Sequence, residues 1–211
     1  MSNFVYLEIL KAKSLVSIFD KCIGDYHKLD DVNQEIINPF EKNSFEGILY
    51  RKCWIDTVQW HYEDIIRDDE IKPKKALDLK RKIDKSNQKR TNLVEVIDDY
   101  FIDEFKKVNP QKNATINTES PAWAIDRLSI LVLKIYHMAE ESSRTSATKD
   151  HRMKCSEKLS ILNEQKSDLC LAIDQLVNDL SEGKKLMKVY RQMKMYNDED
   201  LNPILYKKDK D

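Results

Sequence analysis

The sequence predicts an all-α protein: an antiparallel bundle of five to six helices with a long coiled-coil-like C-terminal helix. Three observations predict it. Only 3 glycines and 5 prolines punctuate 211 residues, too few for the many turns of an all-β chain. Leu, Ile, Lys, Glu and Asp are plentiful while β-branched alternation is nearly absent, so the period-2 signal of a half-buried strand is missing. Apolar residues recur three and four apart instead, which is the spacing of one helix face.

The first element spans residues 4–27, where Phe4, Leu7, Leu10, Leu15, Ile18, Phe19 and Ile23 follow helical spacing and Gly24 is an end signal. After the turn-rich "INPFEKNS", Ser44 caps a helix over 45–67, its side chain accepting a bond from an otherwise unpaired amide of the first turn. "DDEIKP" stops that helix. The next runs over 74–107 and is ended by Asn109 and Pro110. In "TESPAW", Ser120 is a cap and Pro121 a first helical residue, because proline needs no amide partner there. That helix reaches 142, and "SSRTSATKD" is either a connection or a weak continuation. From Cys155 onward Leu159, Leu162, Lys166, Leu169, Ile173, Leu176 and Leu180 form a three-four seam interrupted only at Lys166. Gly183 ends or bends this helix. A single domain over 1–196 with an irregular tail over 197–211 accounts for the chain.

With 36 basic and 37 acidic side chains the net charge is −1, which excludes a generally basic nucleic-acid coat. Cys22, Cys53, Cys155 and Cys170 lie far apart with no C-x-x-C pair, so they read as reduced thiols rather than as a zinc knuckle or disulfide framework. No run approaches the roughly 18 apolar residues of a membrane span. The N-terminus lacks the pattern of a secretory signal. A cytoplasmic address is expected.

The chemistry-bearing residues stand where the helices should be apolar. In "WHYED", residues 60–64, a helical wheel puts Lys52, Asp56, Gln59 and Glu63 on one narrow polar stripe, with Glu63 in water. His61 and Asp64 project beside Tyr50 and Trp54, on a face that a bundle covers. Arg90 interrupts the stripe of Leu79, Ile83, Val94, Ile97 and Phe101, with Asn87 at its edge. A buried guanidinium stays charged and needs a carboxylate or a bound anion. Asp126, His137 and Glu140 stack on the face of Ile130 and Leu133, and "HMAE" echoes the H-x-x-acid spacing of "HYED".

These residues admit three readings. One divalent metal could be held by His61, Asp64, His137 and Glu140, since imidazole and carboxylate are its common ligands; no other cofactor is expected. A structural lock could pair Arg90 with Asp64 or Asp126. The preferred reading is a site for a small anionic ligand, a phosphorylated sugar or nucleotide sugar, built from Asp64, Asn87, Arg90, Asp126 and Arg127. In it the guanidinium neutralises the anion, and His61 or His137 serves as general acid or base.

Two charge patterns bear on partners. From Lys72 to Arg90 there are nine basic and two acidic residues, then Glu95, Asp98, Asp99, Asp103 and Glu104 without a base. That order opposes the helix dipole, so neighbouring helices or an outside ligand must compensate it. "GKKLMKVYRQMKMY", residues 183–196, is expected to be a basic amphipathic helix that covers the core or docks on an acidic partner or membrane surface.

The stretches "CWIDTVQWHYED", "LKRKIDKSNQKRTNLVEVIDDYF", "INTESPAWAIDRLSILVLKIYHMAEE" and "KVYRQMKMYNDEDLNPILY" together resemble the bacterial domain of unknown function 4254 family. The chain departs from the family pattern at Ala122, where a glycine is expected, and at Thr91, where an acid is expected. The resemblance implies a single helical domain of this length and no particular catalytic residue. Such proteins are often encoded among glycosyltransferases of cell-envelope polysaccharide assembly. The resemblance therefore implies a supporting role there, either through a bound ligand or as a non-catalytic partner of an envelope-biosynthesis enzyme. The 155–180 seam would serve a homodimer or an intramolecular partner helix equally.

Overall fold

The computed structural model describes residues 8–193, 195 and 198–206. Phe4 and Leu7 of the first expected helix, Lys194 and Tyr196 of the basic arm, and Asn197 and 207–211 of the tail lie outside the described residues. Among the described residues, five long helices and one short one are laid out as α1 (Ala12–Tyr26), α2 (Phe45–Ile65), α3 (Pro73–Phe105), α4 (Pro121–Ser143), α5 (Lys149–Ser181) and α6 (Pro203–Tyr206). Among the described residues the only β pairing is an isolated bridge.

The helix starts follow local chemistry. Ser44 Oγ accepts from the Gly47 amide at 3.1 Å, Ser120 Oγ from the Trp123 amide at 3.4 Å, and Thr148 Oγ1 from the His151 amide at 3.2 Å, each satisfying an orphan donor of a first turn. Thr148 makes the "SSRTSATKD" segment a true break, since a new helix starts behind it. Pro73 and Pro121 open α3 and α4. Gly24 does not end α1: it is exposed inside the helix, which continues to the buried Tyr26 beyond it.

Helix directions follow from the paired residues. Phe45 stacks on Tyr100 while Gln59 bonds Asn87, so α2 and α3 are antiparallel. Arg90 meets Asp126 while Asp98 takes bonds from Ser120 and the Ala122 amide, so α3 and α4 are antiparallel too. His151 reaches back to Glu141 at 2.9 Å, closing the α4–α5 hairpin. α2 and α4 therefore run the same way. α1 packs against α2, α4 and α5, with Leu15, Phe19, Cys22 and Ile23 fully buried against Leu49, Cys53, Ile125 and Leu128. Burial of such side chains stabilises by roughly 1.5–3 kcal/mol each.

The 183–196 arm is not a helix over its described residues. Gly183 adopts φ +69, where a Cβ would collide with the Asn109 carbonyl oxygen, and the chain leaves α5 to pair with the α3–α4 loop. Thr115 donates to Lys184 O at 3.0 Å and Leu186 donates to Thr115 O at 2.9 Å. Arg191 then pairs with Asp99 and donates to Glu95 O. The acidic half of α3 is thus compensated from within the chain: Glu95 and Asp99 hold Arg191, and Asp98 faces the N-terminus of α4, where the helix dipole favours an acid.

Glycine and acid-titration variants check this architecture. Gly24→Ala meets nothing within 4 Å and should stabilise by up to about 1 kcal/mol, the helix-interior difference between the two residues. Gly47→Ala would strike the Glu41 backbone carbonyl and should destabilise by about 1–3 kcal/mol; urea midpoints of the two should move in opposite directions. Asp25 accepts from Lys28 at 2.6 Å, Lys21 at 2.9 Å and the Tyr50 hydroxyl at 2.9 Å, which hold its carboxyl down to about 2. Its contribution is complete above the unfolded value of about 3.9 and fades as pH falls through about 2. Asp25→Asn should therefore be less stable than the parent at neutral pH, with the gap closing below pH about 4.

Candidate functional site

The centre of the bundle holds a charge on what the sequence predicts to be a narrow polar stripe of α2. Lys52 is fully buried, and its Nζ lies 2.6 Å from Asp56 Oδ2 and 2.9 Å from Asp126 Oδ1. It also donates to the Asp126 carbonyl at 3.1 Å, and Ser129 Oγ donates to Asp56 Oδ2 at 2.7 Å. The polar stripe of α2 thus faces α4, because only there do its charges find partners in the absence of water. Burial pushes the Asp56 carboxyl above its ordinary range, and Lys52 opposes that. Arg90 stands at the edge, its Nε 3.9 Å from Asp126 Oδ1. Two cations and two carboxylates cancel.

Beside this network lies a groove of about 320 Å³ lined by Asp56, Gln59, Trp60, Arg90, Ile130 and Leu133, with Glu63, Asp64 and Arg67 also along it. Gln59 Nε2 donates to Asn87 Oδ1 at 2.9 Å. Asp64, expected on a covered face, is exposed, because α2 turns His61 rather than Asp64 toward α1. Arg127 is exposed and paired with Glu119. The expected cluster of His61, Asp64, Asn87, Arg90, Asp126 and His137 is therefore divided. Asn87, Arg90 and Asp126 gather around the groove and the buried lysine, and the two histidines meet elsewhere.

They meet a third. One ligating nitrogen from each of His27, His61 and His137 lies within 4.8 Å of the other two, the one group of three or more metal-ligating side chains found among the described residues. His27 Nε2 and His61 Nε2 are 3.3 Å apart. His27 Nδ1 faces the Ile23 carbonyl at 2.7 Å; a carbonyl only accepts, so Nδ1 carries the proton and Nε2 keeps its lone pair. His137 Nδ1 lies 2.9 Å from Glu140 Oε2, and its Nε2 is buried without a hydrogen-bond partner among the described residues. Each ring is held by an aromatic face: His27 on Tyr136, His61 on Tyr26 and His137 on Trp60, at centroid distances of 4.3, 5.1 and 5.0 Å. Burial lowers the His61 pKa, against the pull of Asp30.

Asp30 completes the group. It adopts the left-handed conformation at φ 52, strained for a residue with a side chain though tolerated by Asp. Its Oδ1 lies 3.5 Å from His61 Nε2 and 4.0 Å from His27 Nε2. Sequence reasoning missed both His27 and Asp30, yet a signal was present. "HKLD", residues 27–30, has the same H-x-x-acid spacing as "HYED" and "HMAE", and the three histidines that carry it are the three that converge. The three acids differ in use: Asp30 faces the Nε2 atoms, Glu140 holds an Nδ1, and Asp64 points to the groove.

The buried lysine makes a sharper stability prediction than Arg90. Lys52→Met should cost about 3–5 kcal/mol by urea unfolding, since it leaves two buried carboxylates unpaired. Arg90→Ala should cost about 1–2 kcal/mol, its side chain being 26 % exposed and its nearest carboxylate 3.9 Å away. Equal losses would mean that Arg90 carries the charge balance as much as Lys52 does.

No curated protein and no solved structure matches the chain. Residues 46–189 match a family of proteins of unknown function, DUF4254, a span that includes Lys52, Asp56, His61, Asp126 and His137 and begins after His27 and Asp30. Because that match covers more than half of the sequence, the chain belongs to the DUF4254 family.

Proposed function

We propose that this protein binds a divalent first-row transition metal through His27, His61 and His137 with Asp30 as carboxylate ligand, and uses it as a Lewis acid toward a small anionic ligand. The observation that carries this reading is the convergence of three imidazole nitrogens within 4.8 Å. In tetrahedral zinc sites Zn–N bonds of about 2.0–2.1 Å put ligand nitrogens roughly 3.3 Å apart. The His27–His61 separation is already 3.3 Å, and Asp30 Oδ1 stands 3.5 Å from His61 Nε2. The Nδ1 partners, a backbone carbonyl and the Glu140 carboxylate, are those that orient metal-ligating histidines. Nitrogen and oxygen donors without a thiolate suit zinc, manganese, iron or cobalt.

His27 is 8 % exposed whereas Asp30 and Glu140 are 57 % and 52 % exposed, so the group opens to solvent on their side. A metal there would polarise a phosphoryl or carbonyl oxygen and lower the pKa of a water; Glu140, half exposed beside His137, would take the proton. This is hydrolase chemistry. A phosphorylated sugar or nucleotide sugar would enter by its phosphate, and a supporting role in envelope polysaccharide assembly accords with that ligand class. The rival reading, a docking protein for an envelope-biosynthesis enzyme, draws on the exposed Tyr190 and Met193 of the arm.

The test is calorimetric titration of chelator-stripped protein with Zn²⁺, and with Co²⁺ followed by visible absorption. One ion per chain is expected, with His27→Ala, His61→Ala and His137→Ala each weakening binding by at least about 100-fold and Asp30→Asn by about 10–100-fold. His151→Ala, outside the cluster, should bind as the parent does. A parent chain that takes up no stoichiometric metal, or histidine variants that bind it undiminished, would sink the reading.

A further inference from the structure

We propose a second site, independent of the histidines: the groove between α2, α3 and α4 binds a neutral hydroxyl-rich ligand, a sugar ring or cyclic polyol. Three side chains of its lining carry polar atoms that need partners. Asp56 Oδ1, Gln59 Oε1 and Arg90 Nε are all buried, and none has a hydrogen-bond partner among the described residues. The Asp56 side chain is only 2 % exposed, yet it lines the groove. A buried polar atom left unsatisfied costs about 1–3 kcal/mol, so three in one place mark a position that something else completes.

The charges select the occupant. A second anion would face the free oxygen of Asp56 and the carboxylates of Glu63 and Asp64, while Arg67 is already tied to Glu63 at 3.0 Å. A cation would sit near Lys52, whose Nζ is 2.6 Å from the other oxygen of the same Asp56 carboxylate, and beside Arg90. Lys52 and Arg90 already balance Asp56 and Asp126. A neutral group that both donates and accepts satisfies all three atoms, and a hydroxyl is that group. Two neighbouring hydroxyls donate to Asp56 Oδ1 and Gln59 Oε1, and one accepts from the Arg90 Nε–H. Gln59 presents its oxygen because its amide nitrogen is spent on Asn87. Trp60, Ile130 and Leu133 supply an apolar wall for the C–H face of a ring, and about 320 Å³ is at the lower end of small-molecule sites. Trp60 also stacks on His137, so its indole stands between groove and histidines.

The test is saturation-transfer NMR on the full chain with D-glucose, D-galactose and myo-inositol, with inorganic phosphate and methylamine as charged competitors, run with and without zinc. At least one hydroxyl probe should bind in the millimolar range or tighter. Gln59→Leu should weaken it at least tenfold, and Ile130→Trp, which fills the groove, should abolish it, with zinc uptake unchanged in both variants. Binding should be equal with and without zinc and resist both competitors. The proposal is overturned if none of the three probes binds or if binding survives both substitutions. It is equally overturned if phosphate or methylamine displaces the probe, or if binding requires zinc, which would move the ligand to the histidine cluster.

Discussion

One buried ammonium organises this bundle. Lys52 lies between the carboxylates of Asp56 and Asp126, and a charge without water tolerates only the arrangement that pairs it. The pairing fixes how α2 and α4, which run the same way, are set along one another. From Lys52 to His61 is nine residues and from Asp126 to His137 eleven, rises of about 13.5 and 16.5 Å at about 1.5 Å per residue. Those similar rises bring the two histidines to one level. A shift of one residue in either helix would turn its histidine by about 100°, and the cluster with His27 would not form. The same contact holds Asp56 with one oxygen engaged and the other buried without a partner beside the groove.

The histidine cluster and the groove divide the polar interior between two chemistries. At the cluster, the Ile23 carbonyl and the Glu140 carboxylate set the tautomers of His27 and His137, and His61 Nε2 shares a 3.3 Å contact with His27 Nε2, which a proton holds in the metal-free chain and the proposed metal would replace. Along the groove, charges are already cancelled, and what is lacking is hydrogen-bond partners. Trp60 belongs to both, stacked on His137 and lining the groove.

Much of this architecture was legible in the residues. Ser44, Ser120 and Pro121 mark helix starts because capping is local chemistry, and Leu79, Ile83, Val94, Ile97 and Phe101 line the buried face of α3 because apolar periodicity needs no knowledge of neighbours. Faces made of charges were not legible in that way. A wheel groups Lys52 with Asp56 but cannot say whether water or Asp126 lies opposite, and it places Asp64 beside His61 on a covered face when only His61 is covered. His27 escaped notice because it lies just past the end of α1, where periodicity has stopped. The 183–196 arm misled for the opposite reason: its pattern is helical, but Gly183 diverts the chain onto Thr115.

The lysine also has a consequence in time. Its two acids lie 4 and 74 residues further along the chain. On a ribosome adding roughly 5–20 residues per second, α2 exists for several seconds before Asp126 is made. Through that interval Asp56 is the only one of its two acids present, and the face of α2 that meets α4 in the finished bundle has no apolar cover to gain by closing over an ammonium. The charge that locks the finished bundle therefore completes its pairing only after α4 has been made.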